Sequence, residues 1–128
     1  MSARPIGFIG IGQMGRPMVA RLLGAGHRVM IHDRRAEAMQ ALAPSEGVTC
    51  APTAQAVAQA CEVIILMLPD SPIVDALLWR DGFAAALARG SLLIDMGSSH
   101  PNATRENQSR LAAQGVALVD APVSGGVR

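Results

Sequence analysis

The segment Ile6–Gly15 constrains this chain more than any other. A four-residue apolar run, Ile6–Ile9, passes directly into Gly10-Ile11-Gly12-Gln13-Met14-Gly15. Beyond it Met14, Met18 and Leu22, with Val19 and Leu23, recur at helical spacing until Gly24–Gly26. The run reads as a buried strand and the repeat as an amphipathic helix, so the glycines fall in the turn between them. Pro17 lies in the helix's first turn, where its missing N–H costs little.

The same alternation continues along the chain. Val29–His32, Val48–Cys50, Val63–Leu68, Leu92–Met96 and Val116–Val119 read as further strands. Helices are expected over Ala36–Ala43, ended by Pro44 and Gly47, and over Thr53–Ala60, with Ala54, Val57 and Ala60 on one face. A third is capped by Ser71 with Pro72 at its first position, and turns Ile73, Val74, Leu77 and Leu78 inward. A fourth runs from Pro101 to Gln114 and stops at Gly115. Val63–Leu68 is apolar throughout rather than alternating, as a strand covered on both faces requires. Half of the residues are hydrophobic, yet the only aromatics are Trp79, Phe8 and Phe83, so the core must be aliphatic. Without linker or repeat, residues 1–128 are expected to form one α/β domain, a doubly wound, mainly parallel sheet of about six strands.

A net charge of +1 with both signs scattered argues against nucleic acid or an anionic membrane surface as partner. The longest apolar run is far below the ~20 residues that span a bilayer. Met1 leads into the first strand within a few residues, leaving no room for a secretory leader, so a cytoplasmic protein is expected. Cys50 and Cys61 are each expected to be buried thiols rather than a disulfide. No metal site is expected.

A glycine turn between strand and helix suits a dinucleotide. Gly10 permits the tight turn, Gly12 lets a pyrophosphate approach the backbone, and Gly15 lets helix pack on strand. The pyrophosphate would sit at the positive end of the helix. Asp33, about 20 residues on and at the end of the second strand, stands where a carboxylate accepts the ribose hydroxyls of NAD and repels a 2′-phosphate. Arg34 and Arg35 follow it. Either can stack on adenine or pair with a 2′-phosphate, and both also read as solvated residues opening a surface helix. NAD is the expected cofactor, with NADP possible. Ligands lie outside the carboxyl ends of strands in such sheets, which points to Leu68-Pro69-Asp70 and Asp95-Met96-Gly97-Ser98-Ser99. Finally, Ser124, Gly125 and Gly126 offer a hydroxyl and exposed amides suited to a substrate carboxylate, though the same run reads as a flexible loop.

Four stretches, in order, resemble the β-hydroxyacid dehydrogenase family: Gly7–Met18, Met67-Leu68-Pro69, Ile94-Asp95-Met96, and Asp120-Ala121-Pro122-Val123-Ser124-Gly125-Gly126. The resemblance implies a Rossmann-type fold. It implies cofactor contacts from Gln13, Met14, Asp33, Arg34, Leu68, Pro69 and Ser98, beside Gly10, Gly12 and Gly15, and substrate contacts from Ser124, Gly125 and Gly126. Gly97 departs from the family's usual serine or threonine, and His100 from a small residue.

The same resemblance implies a catalytic lysine on a helix beyond the Ser124–Gly126 loop, in an all-helical domain that also builds the dimer interface. All eleven basic residues of this chain are arginine. No catalytic residue is therefore assigned, and the Tyr/Lys pair of short-chain dehydrogenases is equally excluded. Among the histidines, His100 is the best placed for acid–base work, ahead of His27 and His32. The expectation is the cofactor-binding part of an NAD(P)-dependent oxidoreductase acting on a small 3-hydroxy acid or semialdehyde, of the 3-hydroxyisobutyrate or tartronate semialdehyde type. It is expected to be truncated, inactive alone, and self-associating through uncovered apolar surface. Two alternatives stay open: a stand-alone dinucleotide-binding or sensing module, and a fragment of an imine-reductase-like enzyme.

Overall fold

The structure, a computed structural model, describes residues 4–97 and 100–122. In chain order it runs β1 (Ile6–Ile9), α1 (Gly15–Gly24), β2 (Val29–His32), α2 (Ala36–Gln40), β3 (Val48–Cys50), α3 (Ala54–Ala60), β4 (Val63–Leu66), α4 (Ser71–Asp75), a π-helical turn (Ala76–Arg80), α5 (Phe83–Ala86), β5 (Leu92–Asp95), α6 (Pro101–Ala113) and β6 (Ala117–Asp120).

The sheet has six strands in the order β3-β2-β1-β4-β5-β6, every pair parallel. The chain starts in the middle, winds outward to β3, and returns to lay β4 on the other side of β1. The doubly wound fold read from the sequence is thus the one observed, with its switch point between β1 and β4. Central strands are buried on both faces. Phe8 and Ile65 point into a layer with Ile11, Val19, Val29, Ile31 and Ala38, under α1 and α2. Ile9, Ile64 and Leu66 point the other way, against α3 to α6 through residues such as Val57, Leu78, Phe83 and Leu111. That two-sided burial is why β1 and β4 read as unbroken apolar runs.

Several boundaries shift. The cap of α4 is Asp70, whose Oδ1 accepts the Ile73 N–H at 3.1 Å, and not Ser71. Ser71 is helical, and its Oγ accepts the His100 N–H at 2.6 Å, tying α4 to the start of α6. β4 ends at Leu66, although the Met67 N–H still donates to the Ile9 carbonyl at 2.8 Å. α2 stops at Gln40 and continues as turns. Of the expected inner face of α4, Val74 and Leu78 are buried, whereas Ile73 is 36% exposed.

Polar contacts also join α4 and the π-helical turn to α6. Trp79 Nε1 donates to Asn107 Oδ1 at 2.9 Å, Asn107 Nδ2 donates to Asp75 Oδ1 at 2.8 Å, and the Arg110 guanidinium lies 3.6 Å over the Trp79 ring. Among the described residues no helix is long and apolar enough to cross a membrane.

The two thiols are free but differ, which corrects the expectation for Cys50. Cys61 is buried, and that burial pushes its pKa up to about 11 against a smaller opposing pull from Arg4. Cys50 is exposed on β3, a three-residue strand at the edge of the sheet, with its Sγ 3.9 Å from the Met39 carbonyl oxygen. The native protein at pH 8 is therefore expected to yield one equivalent of reactive thiol to an aromatic disulfide reagent, and two after denaturation. Two equivalents from the native state would show that the layer around Cys61 opens.

Candidate cofactor cleft

Three glycines shape the turn after β1, for different reasons. Gly10 has φ +102°, and a Cβ on it would lie 2.2 Å from the Met67 carbonyl oxygen, so β1 and β4 meet here backbone to backbone. A Cβ on Gly15 would lie 2.5 Å from the Gly10 carbonyl oxygen, so α1 sits directly on the turn. Gly12 is the exception. A Cβ there would have a single neighbour within 4 Å, Arg35 Nη2 at 4.0 Å. Packing does not require glycine at this position, and its open side faces the cleft. The start of α1 completes the arrangement: Met14 occupies the N-cap with no side-chain hydrogen bond, while α3 and α4 are capped by Thr53 and Asp70. An uncapped helix start beneath an open glycine is a concavity suited to a phosphate anion.

The end of β2 is tied to this turn. Asp33 Oδ2 accepts the Ile11 N–H at 2.7 Å, and Oδ1 accepts the Arg35 N–H at 2.8 Å and Arg35 Nε at 3.2 Å. Arg35 Nη2 reaches on to the Ile11 carbonyl oxygen at 2.9 Å. The Asp33 side chain is 10% exposed and that of Arg35 61%. Burial raises the pKa of Asp33. The N–H and guanidinium of Arg35, the Ile11 N–H and the Arg35 charge together outweigh it, leaving the carboxyl below its usual value. Arg35, left open between ligand contact and solvated surface, is in fact bonded to both Asp33 and the glycine turn.

Above the switch point lies a cleft of about 800 Å³. One wall is Gly10, Gly12 and residues 32–35, and the other is Met67, Leu68 and Pro69 with the α4 side. A smaller space of about 410 Å³ adjoins it, lined by Gly12–Gly15, Met67–Pro69, Met96 and Gly97. Gly12, Met67, Leu68 and Pro69 border both, so the two form one elongated trough. Gly10, Gly12, Gln13, Met14, Gly15, Asp33, Arg34, Leu68 and Pro69 are thereby brought together. Ser98, Ser124, Gly125 and Gly126 lie outside the described residues.

Sequence reasoning missed two walls. Pro52, Thr53 and Gln55 close the wide end after β3, and Ile73, Leu77 and Arg80 flank it from α4 and the π turn. The carboxyl-end rule applied to β3 would have found the first. The second was hidden because Ile73 and Leu77 look like core positions. Gly97 also acquires a reason, since a Cβ on it would lie 2.0 Å from the Leu68 carbonyl oxygen. Its N–H donates to Oδ1 of the buried Asp95 at 3.0 Å, so the loops after β4 and β5 touch through their backbones. His32 Nδ1 lies 3.0 Å from the Ala51 carbonyl oxygen. Among the described residues no cluster of three or more His, Cys, Asp or Glu could hold a metal ion.

A parallel sheet that reverses its winding beneath such a trough defines a dinucleotide-binding domain, and the open side of Gly12 fits the pyrophosphate of that ligand. The family described as the NAD binding domain of 6-phosphogluconate dehydrogenase matches residues 5–128. The chain is 43% identical over 123 residues to 3-hydroxyisobutyrate dehydrogenase of Pseudomonas aeruginosa, covering 95% of itself and 41% of that protein. It is 39% identical over 119 residues to 3-sulfolactaldehyde reductase of Escherichia coli, covering 92% of itself and 40% of the relative. Among solved structures, that of Mycobacterium tuberculosis 3-hydroxyisobutyrate dehydrogenase with L-serine superposes with a TM-score of 0.87 at 34% identity, over 98% of this chain and 42% of that one. The chain belongs to the β-hydroxyacid dehydrogenase family, of which it carries the NAD-binding domain. It spans about two fifths of the length of these relatives.

Two substitutions separate packing from binding. Gly12→Ala is expected to melt within about 2 °C of the parent, because a methyl enters open space. Its affinity for NAD+ is expected to fall at least about tenfold, a loss of ~1.4 kcal/mol. Gly97→Ala is expected to lose about 1–3 kcal/mol of stability through overpacking. Calorimetric melting and titration check both. Asp33 sets a pH dependence: its folded pKa lies below the ordinary carboxyl value of 3.8, so the ionised form stabilises the turn above that pH. Stability and NAD+ affinity are expected to fall together as pH drops through 3.8 and below, and in Asp33→Asn this step should disappear.

Proposed function

We propose that residues 1–128 form one cofactor-binding domain that serves an NAD(P)-dependent oxidoreductase of small 3-hydroxy acids or the corresponding semialdehydes. The observation that carries the reading is the trough over the switch point, with the open side of Gly12 at its waist. The amides of the glycine turn grip the pyrophosphate at the start of α1, and the Asp33 end of β2 receives the adenosine ribose. Met14, Leu68, Pro69 and Met96 wall the narrow end and keep water from the reacting carbon. The nicotinamide, when bound, supplies or accepts the hydride. Ser124, Gly125 and Gly126 are proposed to hold the substrate carboxylate. The names of the relatives, acting on 3-hydroxyisobutyrate and 3-sulfolactaldehyde, support a three-carbon backbone with a carboxylate or sulfonate at one end and a terminal alcohol or aldehyde at the other.

The 128 residues contain no lysine, so on this reading the acid/base comes from outside them and they turn over negligibly by themselves. A cytoplasmic location belongs to the same reading. Self-association is supported by Val119, 46% exposed on the edge strand β6, and by Met14, 52% exposed at the trough. The test is a pair of assays at 340 nm with NAD+ and 3-hydroxyisobutyrate. The chain alone is expected to stay at the buffer rate. A chimera joining it to the lysine-bearing helical region of the Pseudomonas aeruginosa relative is expected to reduce NAD+. Turnover by the chain alone, or a folded, NAD+-binding chimera inert toward both 3-hydroxyisobutyrate and 2,3-dihydroxypropane-1-sulfonate, the alcohol that corresponds to 3-sulfolactaldehyde, would overturn the proposal.

A further inference from the structure

The wide end of the trough sets apolar walls around two neutral side chains, His32 and Gln55, whose hydrogen bonds are half spent. Pro52 stands on one side, with Pro72, Ile73 and Leu77 on the other. Ile73 is one of the few large apolar side chains left open, at 36% exposure. A slot of this kind takes a flat ring. The remaining polar groups here are already engaged: Thr53 Oγ1 caps α3 by accepting the Ala56 N–H at 3.1 Å, and Arg80 pairs with Asp81 at 2.9 Å.

His32 and Gln55 are each tied to a backbone carbonyl through a nitrogen. His32 Nδ1 lies 3.0 Å from the Ala51 carbonyl oxygen. A carbonyl oxygen only accepts, so Nδ1 carries the proton, and in the neutral ring Nε2 is left as a bare acceptor. Gln55 repeats the arrangement from α3. Its Nε2 donates to the Asp81 carbonyl oxygen, since the reversed amide would set oxygen against oxygen, and Oε1 keeps its lone pairs. Neither His32 Nε2 nor Gln55 Oε1 has a protein partner among the described residues, and both side chains line the cleft. Two acceptors from two different elements thus meet one apolar slot, and the ligand that completes them brings N–H donors on the edge of a ring.

We propose that His32 and Gln55 read the base of the dinucleotide: His32 Nε2 and Gln55 Oε1 accept the two N–H bonds of the exocyclic amine of adenine, so that the site rejects purines with a carbonyl at that carbon. This inference rests on the cofactor reading of the trough, which brings the base to the wide end beyond the ribose at Asp33. Hypoxanthine is the sharpest contrast, because it keeps the size and shape of adenine and replaces the amine with an acceptor oxygen. That oxygen would face two lone pairs and leave both side chains unsatisfied, which is how a polar site rejects an analogue of the same shape.

The experiment is titration calorimetry at pH 8 of the 128-residue chain and three variants with NAD+ and nicotinamide hypoxanthine dinucleotide. The parent is expected to bind NAD+ at least about tenfold more tightly than the analogue. His32→Phe keeps a ring but no nitrogen, and Gln55→Met keeps the length but no amide. Each is expected to reduce the preference to within about threefold, by weakening NAD+ and leaving the analogue nearly unchanged. His32→Asn retains a donor for the Ala51 carbonyl and lacks the acceptor at Nε2, so it is expected to lose the preference as well. A parent that binds both dinucleotides equally would overturn the inference while leaving the trough assignment intact, and this result needs no variant to fold. A preference that survives in the His32 variants, or equal weakening of both ligands by them, would reduce His32 to a clasp on the β3 loop and overturn it too. A parent that binds neither dinucleotide sinks the cofactor reading and this inference with it.

Discussion

The backbone of Gly10 lies against the carbonyl of Met67, and nearly everything functional in this domain follows from that contact. It joins the loops leaving β1 and β4, the two strands between which the winding reverses, and fixes how far apart the walls of the trough stand. No side chain fits between them, so the spacing belongs to the backbone and does not depend on rotamers. Gly97 against Leu68 repeats the device one strand further on. The floor of the site is thus built from three loops held by main-chain contact, and the ligand-facing groups are chiefly amides and short apolar walls.

On that floor the chemistry is sparse and local. The open side of Gly12 and the uncapped start of α1 offer donors to an anion. At the wide end, Asp33 and Arg35 are committed to each other and to Ile11, which ties the end of β2 to the glycine turn. The cost of holding the carboxylate largely buried is offset by three N–H donors, as its lowered pKa reflects.

How much of this could be read from the sequence depends on the range of the interactions involved. The glycine turn, β1 and α1 were fully legible, since strand, turn and helix are adjacent and each glycine's role follows from where it falls. The sheet's two-sided burial was legible in Val63–Leu66 for the same reason. Choices between neighbours were not. Asp70 and Ser71 are both good caps, and only the contact with His100 shows why the serine is used elsewhere. Cys50 looked like core, because its exposure is decided by β3 being an edge strand, a fact of strand order. Ile73 and Leu77 carried a core-like spacing that could not reveal a cleft on their side of the helix. The Arg35 bridge to Ile11 joins residues 24 apart and has no local signature.

The central claim is that the amides at the start of α1 hold the pyrophosphate of a dinucleotide lying along the trough. Backbone ¹⁵N–¹H spectra of the chain during titration with NAD+ test it most directly. The largest saturating shifts are expected on Gly12, Gln13, Met14 and Gly15, with Asp33, Arg35 and Leu68 moving alongside, and with Leu111 and Val116 beneath the opposite face unmoved. Saturating shifts clustered away from the glycine turn, or none at millimolar NAD+, would contradict it.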